Sequence, residues 1–357
     1  MTAGARGPVL PAVGSDAAAA RRRRLVEQGR ERGQFSGGAW SLGTAEGPED
    51  RGWSGTRALD GALLDGTDLW DLASVTKPLV GLVVMALVER GILSLDDTVG
   101  HHLARYRDSP HAPLTVAQLL AHTSGLPGGV PLYRDHPTRE ALLGALGTLP
   151  RTAAPGTRVE YSSQGFMLLG LIAEQATGHG LDRLVYDFVS APLGLTDTRF
   201  TPGPGDRFRA VATEDCPWRG RTVVGEVHDE NAVVLGGVAG HAGLFSTLAD
   251  MERIARSLLG DGPRLLAPDT LVAMTAPRTD GLNLRRTLAW QGKDPVDSPV
   301  GTAFGPASYG HTGFTGTSLW IDPEAGRYAV LLTNRVHPTR EERGFAALRR
   351  AFHEVGG

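Results

Sequence analysis

The sequence predicts a mixed α/β (α+β) fold in which one sheet is closed by the two ends of the chain around an inserted, mostly helical region. Strand-like stretches occur within residues 36–58 and again after residue 317, and capped helical segments fill the interval. This layout leaves a cleft between sheet and helical lobe, where a site is expected.

The elements follow in order. Residues 1–15 read as a disordered leader and 16–33 as a helix. Residues 36–43 and 52–58 suit short strands. From Ser74 to about Glu89, the residues Leu79, Val80, Leu82, Val83, Val84, Leu87 and Val88 cover nearly the whole circumference of a helix. Such a helix is buried, and Gly91 stands where its C-terminal cap belongs. Thr115 caps a helix through Leu120 and Thr138 one through Leu146. Ser162 or Ser163 opens a helix that Gly178 closes, and Thr247 begins another ending near Gly260. Strands at Thr317–Asp322 and Tyr328–Asn334, with a turn at Pro323–Gly326, precede a last helix over about 341–354. The division expected is a leader over 1–15, a sheet domain from 16–73 plus about 300–357, and a helical lobe over 74–299.

At 357 residues, 41% apolar and 21% charged, the chain can bury a substantial core. A formal net charge of −3 gives no general attraction for nucleic acid or an anionic membrane. Arg21-Arg22-Arg23-Arg24 reads as the solvated face of the first helix. No membrane span is expected, because no run of about 18 uncharged apolar residues occurs. The segment before Arg21 lacks the apolar core of a signal peptide, so the expected compartment is the cytoplasm. Cys216 stands alone, which excludes an internal disulfide and a cysteine zinc cage. His101, His102, His111 and His122 show no metal-ligand spacing, so neither metal nor cofactor is expected.

Of the 36 lysines and arginines only Lys77 and Lys293 are lysine. Lys77 lies in Leu72-Ala73-Ser74-Val75-Thr76-Lys77-Pro78, three residues after a serine. On a helix that spacing puts hydroxyl and amine on one face, one turn apart. A serine hydroxyl attacks well only once its proton is removed; an amine can remove it, whereas a guanidinium effectively never deprotonates. A lysine kept in an arginine-preferring chain, inside an apolar helix, therefore points to catalysis.

Two further stretches join it. Val159-Glu160-Tyr161-Ser162-Ser163 places Tyr161 just before a helix start, where its hydroxyl can shuttle protons in the cleft. Tyr309-Gly310-His311-Thr312-Gly313-Phe314-Thr315-Gly316 leads into the C-terminal strands, and its glycines allow a ligand close to the backbone. The polar run Val227-His228-Asp229-Glu230-Asn231 is read either as a cleft lining that sets substrate choice or as a solvated loop.

Taken together, Ser-x-x-Lys, the Tyr161 stretch and His-Thr-Gly resemble the ordered motifs of the serine β-lactamase and penicillin-binding protein superfamily. The chain is most similar to the class C β-lactamase branch with its esterases and D-amino-acid peptidases. Leu119–Pro127, Gly236–Ser246 and Gly316–Pro323 also resemble stretches of that branch, and the resemblance runs from about residue 22 to the C-terminus. It implies an antiparallel sheet flanked by N- and C-terminal helices. It implies that Ser74 is the acylated nucleophile, that Lys77 and Tyr161 move its proton, and that the Ser74 and Phe314 N–H groups form the oxyanion hole. Ser163, His311, Thr312 and Gly313 would contact substrate, as would His228 and Asp229 if their loop lines the cleft.

Two positions depart from the family pattern. Ser163 replaces a carboxamide, and His311 replaces a lysine that helps hold a substrate carboxylate in the lactamases. These changes argue for a small ester or amide rather than a β-lactam or D-Ala-D-Ala peptide. The alternatives are a transacylase that passes the acyl group to an amine or alcohol, and a binding protein that is acylated without turnover.

Overall fold

The computed structural model describes residues 13–260 and 263–355. Strand Gly37–Thr44 pairs with Arg327–Thr333 in an antiparallel register running from Gly38 opposite Thr333 to Thr44 opposite Arg327. That pairing closes one sheet from both ends of the chain. Its strand order is Pro48–Gly55, Gly37–Thr44, Arg327–Thr333, Ser318–Asp322, Tyr309–Thr312 and Gln291–Gly292, antiparallel throughout. Tyr328 to Leu332 are all buried, which explains why this central strand reads as one apolar run.

The first helix, Val13–Glu31, and the last, Phe345–Glu354, share an apolar cluster with the sheet. It contains Val26, Phe35, Trp40, Leu331, Phe345, Leu348 and Phe352. Phe352 is fully buried, so truncating it to alanine is expected to cost about 3–5 kcal/mol. Helix Leu248–Leu258, capped by Thr247, buries Met251, Ile254 and Ala255 in the main core.

Helix Thr76–Glu89 is buried at every residue from Thr76 to Leu87. It approaches its neighbours so closely that a Cβ at Gly81 would lie 2.2 Å from Ala289 Cβ. Thr115 forms a full capping box with Gln118. Between the two candidate caps, Ser162 is the one used; its hydroxyl accepts from Gly165 N–H, and left-handed Gly178 ends the helix Ser163–Thr177.

Several boundaries differ from the sequence expectation. The first helix begins at Val13, so 13–15 are helical, while the rest of the expected leader lies outside the described residues. The second strand is Pro48–Gly55, not 52–58. Its polar start, Pro48-Glu49-Asp50-Arg51, hides an edge strand whose register is set by its partner. Gln291–Gly292 adds to the sheet before residue 300. Left-handed Gly344 delays the last helix to Phe345, which leaves 335–343 as a loop. Within the basic run, Arg22 is buried rather than solvated, pairing with Asp50 at 2.5 Å. Among the described residues no helix is long and apolar enough to cross a membrane.

Candidate active site

The turn that carries Ser74 is held from three sides. After the short strand Trp70–Asp71, Ala73 adopts a left-handed φ of 47°, and Ser74 follows in a 3-10 turn at the entry to helix Thr76–Glu89. A non-glycine residue in that region is strained and persists only where its surroundings fix it. Asp71 does so with both carboxylate oxygens, accepting from Ala73 N–H at 2.8 Å and from His228 N–H at 2.6 Å. Thr315 Oγ1 donates to the Asp71 carbonyl at 2.8 Å, and Thr317 Oγ1 to the Leu72 carbonyl at 2.9 Å.

Lys77 is fully buried. Its Nζ lies 3.1 Å from Ser74 Oγ and donates to the His241 carbonyl at 3.1 Å. The same Nζ stands 4.9 Å from the centre of the Tyr161 ring. Ser74, Lys77 and Tyr161 are thus brought together from two distant parts of the chain.

The Tyr161 ring packs on His122, with centroids 4.8 Å apart, and lies 5.9 Å from His311. His122 Nδ1 accepts from Ser162 N–H at 3.0 Å, which fixes the neutral tautomer and the entry of the helix behind Tyr161.

Ser74, Tyr161 and Phe314 line two branches of one cleft. The first, about 310 Å³, is also lined by His311, Thr312 and Gly313. The second, about 430 Å³, contains Ser163, His228 and Asp229. Apart from Lys77, which lies buried behind Ser74, the residues singled out by sequence line the cleft, although His228 and Asp229 are also structural. His228 Nε2 meets Glu214 at 2.8 Å, and its ring stacks on Phe314 at 5.7 Å. Asp229 Oδ1 accepts from His241 Nε2 at 2.9 Å and from Ala232 N–H at 2.8 Å. Among the described residues neither the Ser74 nor the Phe314 N–H meets a protein acceptor, leaving both available to a substrate oxygen.

The beta-lactamase family model matches residues 22–353. This chain belongs to the beta-lactamase family. It is 32% identical over 330 residues to the "Putative D-alanyl-D-alanine carboxypeptidase" of Escherichia coli K12, covering 80% of this chain and 75% of the relative. A Salmonella newport relative of the same name is 30% identical over 328 residues, covering 80% and 76%. Among solved structures, EstCE1, "a hydrolase with promiscuous acyltransferase activity", superposes with a TM-score of 0.77 at 20% identity, covering 96% of this chain and 100% of that one. A simvastatin synthase variant from Aspergillus terreus gives 0.75 at 21% identity, covering 98% of each chain. The likeness to the solved structures shows that the chain shares their fold.

In this beta-lactamase-family cleft, His311 supplies no cation. Burial, and then the charge of Lys77, push it down to about 3, and its Nδ1–H donates to the Thr312 carbonyl at 2.8 Å. Positive charge comes instead from Arg286, Arg335 and Arg349, which line the smaller branch and outnumber its one carboxylate, Glu342, 3.8 Å from Arg335. The buried Nε atoms of Arg286 and Arg349 have no partner among the described residues.

Sequence reasoning missed these arginines, because arginine is the chain's default cation and no spacing marks them. It also set His122 aside among scattered histidines. The only signal available was its place within Leu119–Pro127. Away from the cleft, ligand-capable atoms of Asp97, His101 and His102 lie within 4.8 Å of one another, but one Asp97 oxygen already accepts from both His102 and Ser94.

Proposed function

We propose that this protein is a serine acyl-enzyme catalyst acting on small esters or amides. The observation that carries this reading is the 3.1 Å approach of buried Lys77 Nζ to Ser74 Oγ beneath the Tyr161 ring. Ser74 Oγ bonds to the substrate carbonyl carbon as its proton passes to the Lys77–Tyr161 pair. The Ser74 and Phe314 N–H groups receive the developing oxyanion. The same pair returns the proton to the leaving alcohol or amine as its bond to the carbonyl carbon breaks, leaving an ester on Ser74. Water then repeats the sequence in reverse and frees the acid. Every step uses side chains and backbone of this chain.

The arginines of the smaller branch support a substrate whose leaving half carries an anion, most simply a carboxylate. This revises the expectation drawn from His311 alone, and it agrees with the carboxypeptidase name of the curated relatives. Acyl transfer is the second reading. It is favoured by the smaller branch, which offers open space beside Ser74 to an amine or alcohol once the leaving half has departed, and by the acyltransferase activity in the name of EstCE1.

A panel of p-nitrophenyl esters, a cephalosporin and D-amino-acid amides, each with and without added amine, tests both. Turnover abolished by Ser74→Ala is expected. Product released equally well without Ser74 contradicts the proposal, and release that requires an amine selects transfer.

A further inference from the structure

The two branches of the cleft differ in charge, and Asp229 marks the difference. Its Oδ1 is committed to His241 and to the cap of helix Glu230–Val234, while among the described residues Oδ2 has no hydrogen-bond partner. Asp229 lines the same branch as Ser74, and 35% of its side chain is exposed. It forms no ion pair with Lys77, whose nearest acceptors are Ser74 and the His241 carbonyl.

Other charges on this branch are accounted for. Arg340 is spent on Glu214 and Glu230, one guanidinium facing two carboxylates. Arg134 lies at the exposed rim beside Tyr133. Burial alone would raise Asp229, but His241, the Ala232 N–H and Lys77 together hold it well below the ordinary carboxylate range. An unpaired carboxylate oxygen on a side chain that lines the cleft invites a cation.

Resting on the acyl-enzyme reading above, we infer that Asp229 Oδ2 receives a protonated amine on the acyl half of the substrate, so that the cleft selects peptide-like amides or esters with a free amino end. The scissile carbonyl sits at Ser74, where the branches meet, so the two halves of the substrate enter opposite branches. In an amino-acid amide or short peptide the free amine belongs to the acyl half and the carboxylate to the leaving half. That polarity matches Asp229 on one side of Ser74 and Arg286, Arg335 and Arg349 on the other.

The test is competition at pH 7 against turnover of p-nitrophenyl acetate, a neutral probe of Ser74 itself. Alanine methyl ester and N-acetylalanine methyl ester are compared, in both enantiomers, with wild type and Asp229→Asn; an asparagine oxygen can still accept from Ala232 N–H and His241. The free amine of one enantiomer should compete about tenfold or more better than its acetylated form in wild type, and the ratio should collapse in the variant. Equal competition in wild type, no competition by any ester, or a ratio unchanged by Asp229→Asn overturns the inference while leaving acyl-Ser74 chemistry standing. Failure of p-nitrophenyl acetate to acetylate Ser74 overturns the underlying reading as well.

Discussion

Thr317 Oγ1 donates to the Leu72 carbonyl at 2.9 Å, tying the strand that follows Phe314 to the turn that carries Ser74. With the Thr315 bond to Asp71, it fixes the two candidate oxyanion donors relative to each other. Thr317→Val keeps the shape and removes the donor, leaving the Leu72 carbonyl only its bond from Val75 N–H, at a cost of about 0.5–1.5 kcal/mol. A fall in kcat with a modest fall in the urea midpoint is expected; unchanged kcat would mean that the tie does not position the donors.

Gly313→Ala should be harsher. Its Cβ would lie 2.0 Å from Thr317 Oγ1 and 2.5 Å from the Leu72 carbonyl, the two partners of that bond. Displacing the Phe314 N–H is expected to lower kcat by about 10²–10³. Steady-state kinetics on a p-nitrophenyl ester measures it, with circular dichroism to confirm folding.

Lys77→Arg keeps a positive charge and loses the titratable amine. Loss of at least about 10³ in kcat/KM is expected, comparable to removing a proton-transfer group. Because Lys77 is fully buried, the larger guanidinium should also cost about 1–3 kcal/mol by overpacking. Lys77→Gln avoids the overpacking and should be equally inactive; near-normal turnover in a folded variant contradicts the role given to the amine.

Stability should fall in mild acid. Burial, and then neighbouring cations, hold His311 and His353 at about 3 and His122 well below its ordinary value. In the unfolded chain these rings bind protons below about 6.5, while the folded protein keeps them neutral. The unfolded state therefore binds more protons between about pH 6.5 and 3, and stability drops as pH falls through that window. Each ring contributes a slope of about 1.4 kcal/mol per pH unit. Urea titrations at pH 7 and 5 check the sign, and His353→Gln should flatten the slope.

Arg349→Ala tests the arginine-lined branch. The ratio of kcat/KM for a carboxylate-bearing ester to that for its methyl ester should drop about tenfold. A ratio that stays put removes Arg349 from substrate recognition.

Much of this was legible in the chain because its elements obey local rules. The all-round apolar helix after Ser74, the Thr115, Thr138, Ser162 and Thr247 caps and the left-handed Gly178 each carry a signal within a few residues. Ser74 and Lys77 were visible for the same reason, one helical turn apart. What stayed hidden is set by distant contacts. The strand Pro48–Gly55 exists because Gly37–Thr44 pairs with it, against the preference of its own polar start. Arg286, Arg335 and Arg349 converge only after the sheet, the 335–343 loop and the last helix are assembled. His122 looked ordinary until Tyr161 was packed on it.

The most direct measurement is the site of a trapped acyl group. After brief exposure to p-nitrophenyl acetate and acid quenching, peptide mapping by mass spectrometry should find a single acetyl on Ser74, absent from Ser74→Ala and strongly reduced in Lys77→Gln. Acetylation spread over other residues, or equally abundant without the Ser74 hydroxyl, would contradict the account.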